Sequence, residues 1–333
     1  MLDKPLVVLG AGSWGTALAI QFARGGRETV LWGRDPAQLK AMRDERINAR
    51  YLPDAPFPEK LTINLDFAET ISGARDILIA VPSHAFRAML EKLEFLLPLD
   101  ARVAWATKGF EENTGKLPHQ VAREILGDDI PTAVLSGPTF AAEVGQGLPT
   151  AMTIASNCDE FARELAEEIS DPTFRAYTTH DMVGVEVGGA VKNVLAIGAG
   201  ISDGLGFGAN TRVALITRGI VEMSRLGMAL GADQDTFLGL AGVGDLMLTC
   251  TDNLSRNRRM GLALAAGKSI DEAAEEIGQV VEGVRAARAV MQVAKTLDVE
   301  MPIVAEIYQV LYEGKAPKKA VSALMTRGLK SEK

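Results

Sequence analysis

The chain has 333 residues, 47% apolar and 23% charged, which is ordinary for soluble globular material and enough for one large or two average domains. A formal net charge of -8 disfavours duplex nucleic acid as a partner, although a local basic cluster could still take a small anion. The two cysteines, Cys158 and Cys250, lie far apart and form no CxxC pair, which argues against a disulfide scaffold and for a reducing compartment.

The opening "MLDKPLVVLG" turns strand-like almost at once and leaves no room for a signal peptide. No apolar run reaches the ~18 uncharged residues of a spanning helix. The expectation is a cytoplasmic protein without membrane insertion. Residues 5–10, 28–33, 76–82, 102–107 and 132–137 read as strands, each nearly continuous in apolar residues, as in strands covered on both faces. Helical patterns lie between most of them, for example at 16–26 and 85–97. Late strands are expected at 150–156 and 174–179, with a helix over 159–170 between them. This alternation predicts an α/β fold with a doubly wound, parallel, Rossmann-like sheet. After about residue 180 the strand pattern stops. Helical patterns follow at 182–200, 212–230, 233–241, 256–266, 270–278, 282–297 and 302–313, and the basic tail is expected to fray at its end. The division is a nucleotide-binding domain over 1–180 and an all-helical C-terminal domain over 181–333.

In "VVLGAGSWGTALA", Gly10, Gly12 and Gly15 form GxGxxG between the first strand and the first helix. One glycine makes the tight turn, one admits a pyrophosphate and one lets helix and strand pack closely; the helix N-terminus offers free N–H groups. At the end of the second strand, where an NAD enzyme usually places an acid for the ribose 2′-hydroxyl, the chain reads Gly33-Arg34. A guanidinium there suits a 2′-phosphate, which favours NADP(H) with NAD(H) tolerated; Asp35 is the competing reading. Two other glycine-rich stretches, 198–208 and 239–246, follow no strand, and turn-forming glycine is expected to explain most of both.

Ligands of open α/β sheets sit beyond the carboxyl ends of the strands. The polar strand ends at 82–84, 108–111 and 136–143, with Lys108, Gly137 and Thr139, therefore point to a substrate pocket. In "GGAVKNVLAIGAG" a lysine, Lys192, sits inside an apolar helical run, where an unpaired ammonium is costly. It is either a lysine snorkelling to water or the group that protonates the alkoxide left by hydride transfer to a carbonyl. Its small neighbours Gly188 and Gly189 would let a ligand approach. Ser255 is a good N-cap, yet Arg256, Arg258 and Arg259 crowd the helix start that follows, against the macrodipole. A bound anion, most naturally a phosphate, would explain Arg256; Arg258 and Arg259 read as a solvated basic face. Asp245 could pair with Lys192 or bond a substrate hydroxyl. The three histidines show no metal-ligand spacing, and there is no GxSxG elbow.

Taken together, "GAGSWGTALA", "ATKGFE", "LSGPTFAAEV", "GGAVKNVLAIGAGISDGLGFGANT", "GLAGVGDLMLT", "SRNRRMG" and "GQVVEGV" resemble the bacterial NAD(P)-dependent glycerol-3-phosphate dehydrogenases, over residues 5 to about 315. The resemblance implies a fold of the 6-phosphogluconate-dehydrogenase-like type. It implies reversible reduction of dihydroxyacetone phosphate to sn-glycerol 3-phosphate, supplying glycerophospholipid synthesis. It makes Lys192 the catalytic proton donor and acceptor. Gly10, Gly12, Ser13, Trp14, Gly15, Arg34, Lys108, Ala141, Arg256, Val280 and Glu282 would contact the dinucleotide. Lys108, Gly137, Thr139, Lys192, Asp245, Ser255, Arg256 and Asn257 would hold the phosphorylated substrate, with no metal. A homodimer is compatible with the chain. The alternatives are a β-hydroxyacid dehydrogenase acting on a small carboxylate, and a non-catalytic NADP(H) sensor, which would need neither Lys192 nor Arg256.

Overall fold

The computed structural model describes residues 4–328; the first three residues and the very end of the basic tail lie outside the described residues. The chain divides into two compact units, the first comprising residues up to Lys108 and Lys116–Glu186, the second Gly109–Gly115 and everything from Val187 onward.

The first unit runs β1 (Leu6–Leu9), α1 (Ser13–Arg24), β2 (Thr29–Trp32), α2 (Pro36–Glu45), β3 (Ile47–Asn48), β4 (Leu52–Pro56), β5 (Leu61–Ile63) and α3 (Phe67–Ser72). It continues with β6 (Asp76–Ile79), α4 (Phe86–Glu94), β7 (Arg102–Trp105), α5 (Pro118–Leu126), β8 (Thr132–Ser136), α6 (Ala141–Gln146), β9 (Thr150–Ser156), α7 (Asp159–Ile169) and β10 (Phe174–Thr179). The main sheet has the order β10-β9-β8-β7-β6-β1-β2-β5. Chain order reverses between β1 and β6, so the topological switch point of a doubly wound sheet lies beside the first glycine turn. The central strands β1, β6 and β7 are buried throughout, which is why they are near-continuously apolar.

The sheet is not parallel throughout: β8 and β9 pair antiparallel, and β10 follows β9. A parallel return needs a crossover as long as the strand itself. The six residues of α6 span only ~9 Å at 1.5 Å each, against ~17 Å for the five of β8, so the chain turns back at the same sheet end. The small antiparallel pair β3–β4, absent from the sequence reading, lies off the main sheet.

Polar groups close the opposite, N-terminal end of the sheet. Asp76 and Arg102, the first residues of β6 and β7, are paired neighbours with Arg102 Nε 2.6 Å from Asp76 Oδ1. Arg27 Nη2 donates to the other carboxylate oxygen at 3.0 Å. Arg102 reaches Glu164 at 2.6 Å and Arg27 reaches Glu168 at 3.3 Å, both on α7.

The helical part is α8 (Met182–Gly204), α9 (Ala209–Ala229), α10 (Asp245–Thr251), α11 (Arg256–Ala265), α12 (Ile270–Ile277), α13 (Glu282–Thr296), α14 (Pro302–Tyr312) and α15 (Pro317–Met325). The first turns of α8 are anchored within the first unit by buried Glu186, which accepts from Trp105 Nε1 and the His119 backbone N–H, each at 2.9 Å. α8 is long and apolar enough to cross a membrane by length and composition, and 94% of its apolar window is buried inside the protein.

Residues 233–241 do not form the expected α-helix. A 3-10 turn over Gln234–Leu238 and a π-type turn over Leu240–Gly244 lead into α10. Half of the glycines here and in 198–208 serve close approach. A Cβ at Gly188 would lie 2.3 Å from Ala241 O, one at Gly242 2.2 Å from Phe237 O, and one at Gly200 2.0 Å from Arg258 O. Gly188 therefore admits the π turn rather than a ligand. Within these two stretches only Gly206, φ +80°, is held in the left-handed region. α15 also went unread; Pro317 opens it and Ala320 is its buried contact.

One buried acid of the helical unit couples stability to pH. Glu222 on α9 accepts from the N–H groups of Ile303 (2.7 Å) and Val304 (3.2 Å), which cap α14. Burial outweighs those bonds and pushes its carboxyl up to about 7 from 4.5. The folded protein then holds this proton where the unfolded chain releases it. The contribution is full below pH 4.5 and lost as pH rises through about 7, a difference of about 3 kcal/mol. Glu222→Gln should flatten the stability-versus-pH curve between those limits in urea titrations, whereas an unchanged slope would locate the coupling elsewhere.

Candidate active site

In the first unit the site grows from the β1–α1 turn. Gly10 adopts φ +128°, and a Cβ there would meet Ala80 O at 2.5 Å. A Cβ at Gly15 would lie 1.9 Å from Gly10 O, so both positions exclude a side chain. At Gly12, the N-cap of α1, nothing lies within 4 Å of the Cβ position. α1 starts without a side-chain cap and without an acid in its first turn, so its N–H groups and positive dipole end suit a pyrophosphate. Ser13 and Trp14 are half-buried on that first turn, and Trp14 Nε1 is buried without a hydrogen-bond partner. An open cradle, free helix N–H groups and an orphaned indole donor fit a dinucleotide.

The end of β2 explains the missing acid. A Cβ at Gly33 would lie 2.7 Å from the Ala11 Cβ, so no carboxylate can stand there. Asp35 caps α2, accepting from Ala37 N at 3.0 Å and Gln38 N at 3.3 Å, while Arg34 is exposed beside the turn. Two side chains missed in the sequence hold the turn. Gln38 Nε2 and Asn48 Nδ2 both donate to Ala11 O, at 3.0 and 3.1 Å, and Asn48 also reaches Thr16 Oγ1 at 2.8 Å. Lys108 is half-buried three residues beyond β7. Gly137 and Thr139 form the turn after β8, where a Cβ at Gly137 would meet Met152 Cα at 2.9 Å, and Ala141 opens α6.

In the second unit Lys192 is 7% exposed, which rules out snorkelling. Its Nζ is paired with Asp245 Oδ1 and lies 3.2 Å from Thr249 Oγ1. Asp245 is 1% exposed, and Thr249, one turn further along α10, donates to Asp245 O at 2.6 Å. Of the two roles open to Asp245, the structure places it on the lysine. Thr249 went unnoticed, although its i+4 spacing from Asp245 was a usable signal.

The neighbouring Asn193 is 6% exposed; its Oδ1 accepts from Asn257 Nδ2 at 2.9 Å, and Asn257 Oδ1 accepts from Gly283 N at 2.8 Å. These bonds gather the start of α11 and the start of α13, with Glu282, around the helix that carries Lys192. Ser255 caps α11, its Oγ accepting from Arg258 N at 3.2 Å. Arg256 is half-buried, with Nη1 3.3 Å from Gln279 Oε1. Burial pushes its guanidinium below the usual arginine range; Glu282 favours the charge and Arg259 opposes it. Val280 is exposed just before α13. Arg259 is exposed as expected, but Arg258 is not: it is 8% exposed and ion-paired with Asp203 Oδ2 at 2.6 Å. A carboxylate at the C-terminal end of α8, invisible to local sequence, draws it inward.

A glycine turn at the switch point of a doubly wound sheet, and a lysine held by a carboxylate in a helical unit, define a nicotinamide-dinucleotide-dependent dehydrogenase. Sequence comparison narrows this class. Residues 5–162 and 181–322 match the profiles of the N-terminus and C-terminus of NAD-dependent glycerol-3-phosphate dehydrogenase. The chain is 56% identical to the glycerol-3-phosphate dehydrogenase [NAD(P)+] of Shewanella frigidimarina, over 98% of this chain and 97% of that protein. It is 55% identical to that of Klebsiella pneumoniae, over 100% and 98%. The crystal structure of glycerol-3-phosphate dehydrogenase from Coxiella burnetii superposes with a TM-score of 0.95 at 46% identity, covering 98% of this chain and 100% of that one. The chain belongs to the NAD-dependent glycerol-3-phosphate dehydrogenase family.

Proposed function

We propose that this protein reversibly reduces dihydroxyacetone phosphate to sn-glycerol 3-phosphate with NADPH or NADH, the product feeding glycerophospholipid synthesis in the cytoplasm. The observation that carries the reading is the buried ion pair of Lys192, on α8, with Asp245, on α10, beside Asn193, which α8 holds against the start of α11. Residues 1–180 supply most of the dinucleotide contacts and residues 181–333 most of the substrate contacts. The bound dinucleotide supplies the hydride. Gly10, Gly12, Ser13, Trp14 and Gly15 hold its pyrophosphate side, and Arg34 the adenosine side; Lys108, Ala141, Arg256, Val280 and Glu282 also contact it. Lys108, Gly137, Thr139, Ser255, Arg256 and Asn257 hold the substrate, and Asp245 acts through Lys192.

Asp245 and Thr249 fix the Lys192 ammonium, which gives its proton to the carbonyl oxygen as that oxygen gains charge, and as an amine takes it back in the oxidation direction. The first turn of α11 offers the phosphate ester N–H donors and the Arg256 fork. The protein acts without membrane insertion, and a homodimer is its proposed assembly.

NADPH oxidation assayed with dihydroxyacetone phosphate, 3-keto acids and other small carbonyl compounds tests the reading. Turnover confined to carboxylated partners would make this a hydroxyacid enzyme, and silence with every carbonyl compound a sensor. Arg34→Ala should narrow any preference for NADPH over NADH, and an unaltered ratio would remove Arg34 from the 2′-phosphate. Arg256→Ala should raise KM for dihydroxyacetone phosphate by roughly tenfold or more, the worth of one charge-assisted contact. An unchanged KM would move the phosphate elsewhere.

A further inference from the structure

A ketone phosphate has a set length: one carbon and one ester oxygen separate the carbonyl carbon from phosphorus. An enzyme that grips both ends must hold its anion-binding turn at a set distance from its proton donor. In this protein both elements are tied to α8, and the ties can be named.

The first tie is Asn257 to Asn193, beside Lys192. The second is a backbone crossing. A Cβ at Gly200 would lie 2.0 Å from Arg258 O, and one at Gly261 2.0 Å from Ile197 O, so α8 and α11 touch with no room for a methyl group. The third is ionic. Asp203 lies on α8 eleven residues beyond Lys192, just over three whole turns and so on nearly the same side of the helix, ~16 Å along its axis. Asp203 Oδ2 takes Arg258 Nη2 at 2.6 Å and Arg212 Nη1, from the start of α9, at 2.8 Å. The Asp203 and Arg258 side chains are 11% and 10% exposed, so the pair is shielded from solvent. Arg258 also donates through Nη1 to Asn253, on the other side of the Ser255 cap.

The charges explain why a third arginine is tolerated in a helix's first turn. A cation there opposes the macrodipole. Asp203 neutralises Arg258, and its fork then clamps the segment on both sides of the cap. Arg256, whose guanidinium has no carboxylate within ion-pair distance among the described residues, is left as the half-buried cation of that turn.

We propose that Asp203 and Arg258 are a positioning pair that sets the spacing between Lys192 and the anion-binding turn of α11, and thereby the enzyme's selectivity for a phosphate ester adjacent to the reacting carbonyl. Neither residue touches substrate. The proposal rests on the reading of Ser255–Asn257 as the phosphate site.

The test is steady-state kinetics on the full-length enzyme with dihydroxyacetone phosphate and with dihydroxyacetone, which lacks the phosphate. Inorganic phosphate serves as a competitive inhibitor, and NADPH fluorescence reports that the protein is folded. Asp203→Asn should raise KM for dihydroxyacetone phosphate and the inhibition constant of phosphate by roughly tenfold or more, because sub-ångström misplacement is costly. Activity on dihydroxyacetone should change much less, so the preference for the phosphorylated ketone collapses while NADPH binding is kept.

An unchanged preference in a folded Asp203→Asn variant overturns the proposal. Should that variant fail to bind NADPH, Arg258→Lys decides by the same ratio, since it keeps the charge and loses the fork. Arg256→Ala, run in parallel, separates the two readings. If it leaves the preference intact, the phosphate site is elsewhere and both fall. If it abolishes the preference while Arg258→Lys and Asp203→Asn retain theirs, the phosphate site stands and the positioning pair falls.

Discussion

Lys192→Ala is expected to lower turnover by roughly 10²–10⁴, the usual share of a positioned general acid, while NADPH binding survives. The size of the effect follows from what would remain. The ketone oxygen gains a full negative charge as hydride arrives, and the ammonium held beside Asp245 that would protonate it is gone. Water could protonate the alkoxide, but the lysine site is 7% exposed and Thr249 commits its hydroxyl proton to Asp245 O. The substitution also takes an ion-pair partner from a buried carboxylate, at a stability cost of up to about 3–5 kcal/mol. The double variant Lys192→Ala/Asp245→Asn removes that carboxylate's charge along with the amine. It should recover thermal stability and stay as inactive as the single variant. Near-normal turnover in a stable double variant would show that the proton comes from another group. A double variant that regained activity with stability would show that the single substitution acted through folding alone.

Much of this arrangement could be read from the sequence, for identifiable reasons. The glycine turn announces itself because the backbone of Gly10 and Gly15 leaves no alternative to glycine, and GxGxxG between a strand and a helix carries that constraint locally. Lys192 stands out because a charge inside an apolar helix has few bland explanations. What stayed hidden depends on partners distant in the chain. Arg258 looks like any surface arginine until Asp203 is folded against it. The glycines at 200 and 242 look like turn formers, because sequence does not distinguish a glycine needed for positive φ from one needed to admit a neighbouring carbonyl. The direction of β9 was equally silent: a buried strand has the same apolar run whether it lies parallel or antiparallel. Asn48 was missed because a lone asparagine on a two-residue strand has no pattern around it.

Asp76→Ala is expected to destabilise the first unit by about 3–5 kcal/mol, a large part of the stability of an ordinary domain. Asp76 is 1% exposed and lies between the guanidinium groups of Arg27 and Arg102, whose side chains are each 6% exposed. Burial alone would push the Arg102 guanidinium down, but the hydrogen bonds and charges of Asp76 and Glu164 outweigh it and raise it above its usual range. Removing Asp76 leaves Glu164 for Arg102 and the longer 3.3 Å contact with Glu168 for Arg27. Burial pushes the Glu168 carboxyl upward, so it is a weak substitute. The three tryptophans, Trp14, Trp32 and Trp105, all belong to the first unit, so urea titration followed by their fluorescence reports on this unit directly. The active-site residues lie elsewhere, so KM values at low temperature should change little. Combining Asp76→Ala with Arg102→Met removes one of the stranded charges and should return part of the loss, because an apolar side chain of similar length is cheaper to bury than an unpaired guanidinium. A midpoint that moves by less than about 1 kcal/mol equivalent in the single variant would mean that water or the α7 carboxylates already satisfy both arginines, and that the ion network at this end of the sheet is not what holds β6 beside β7.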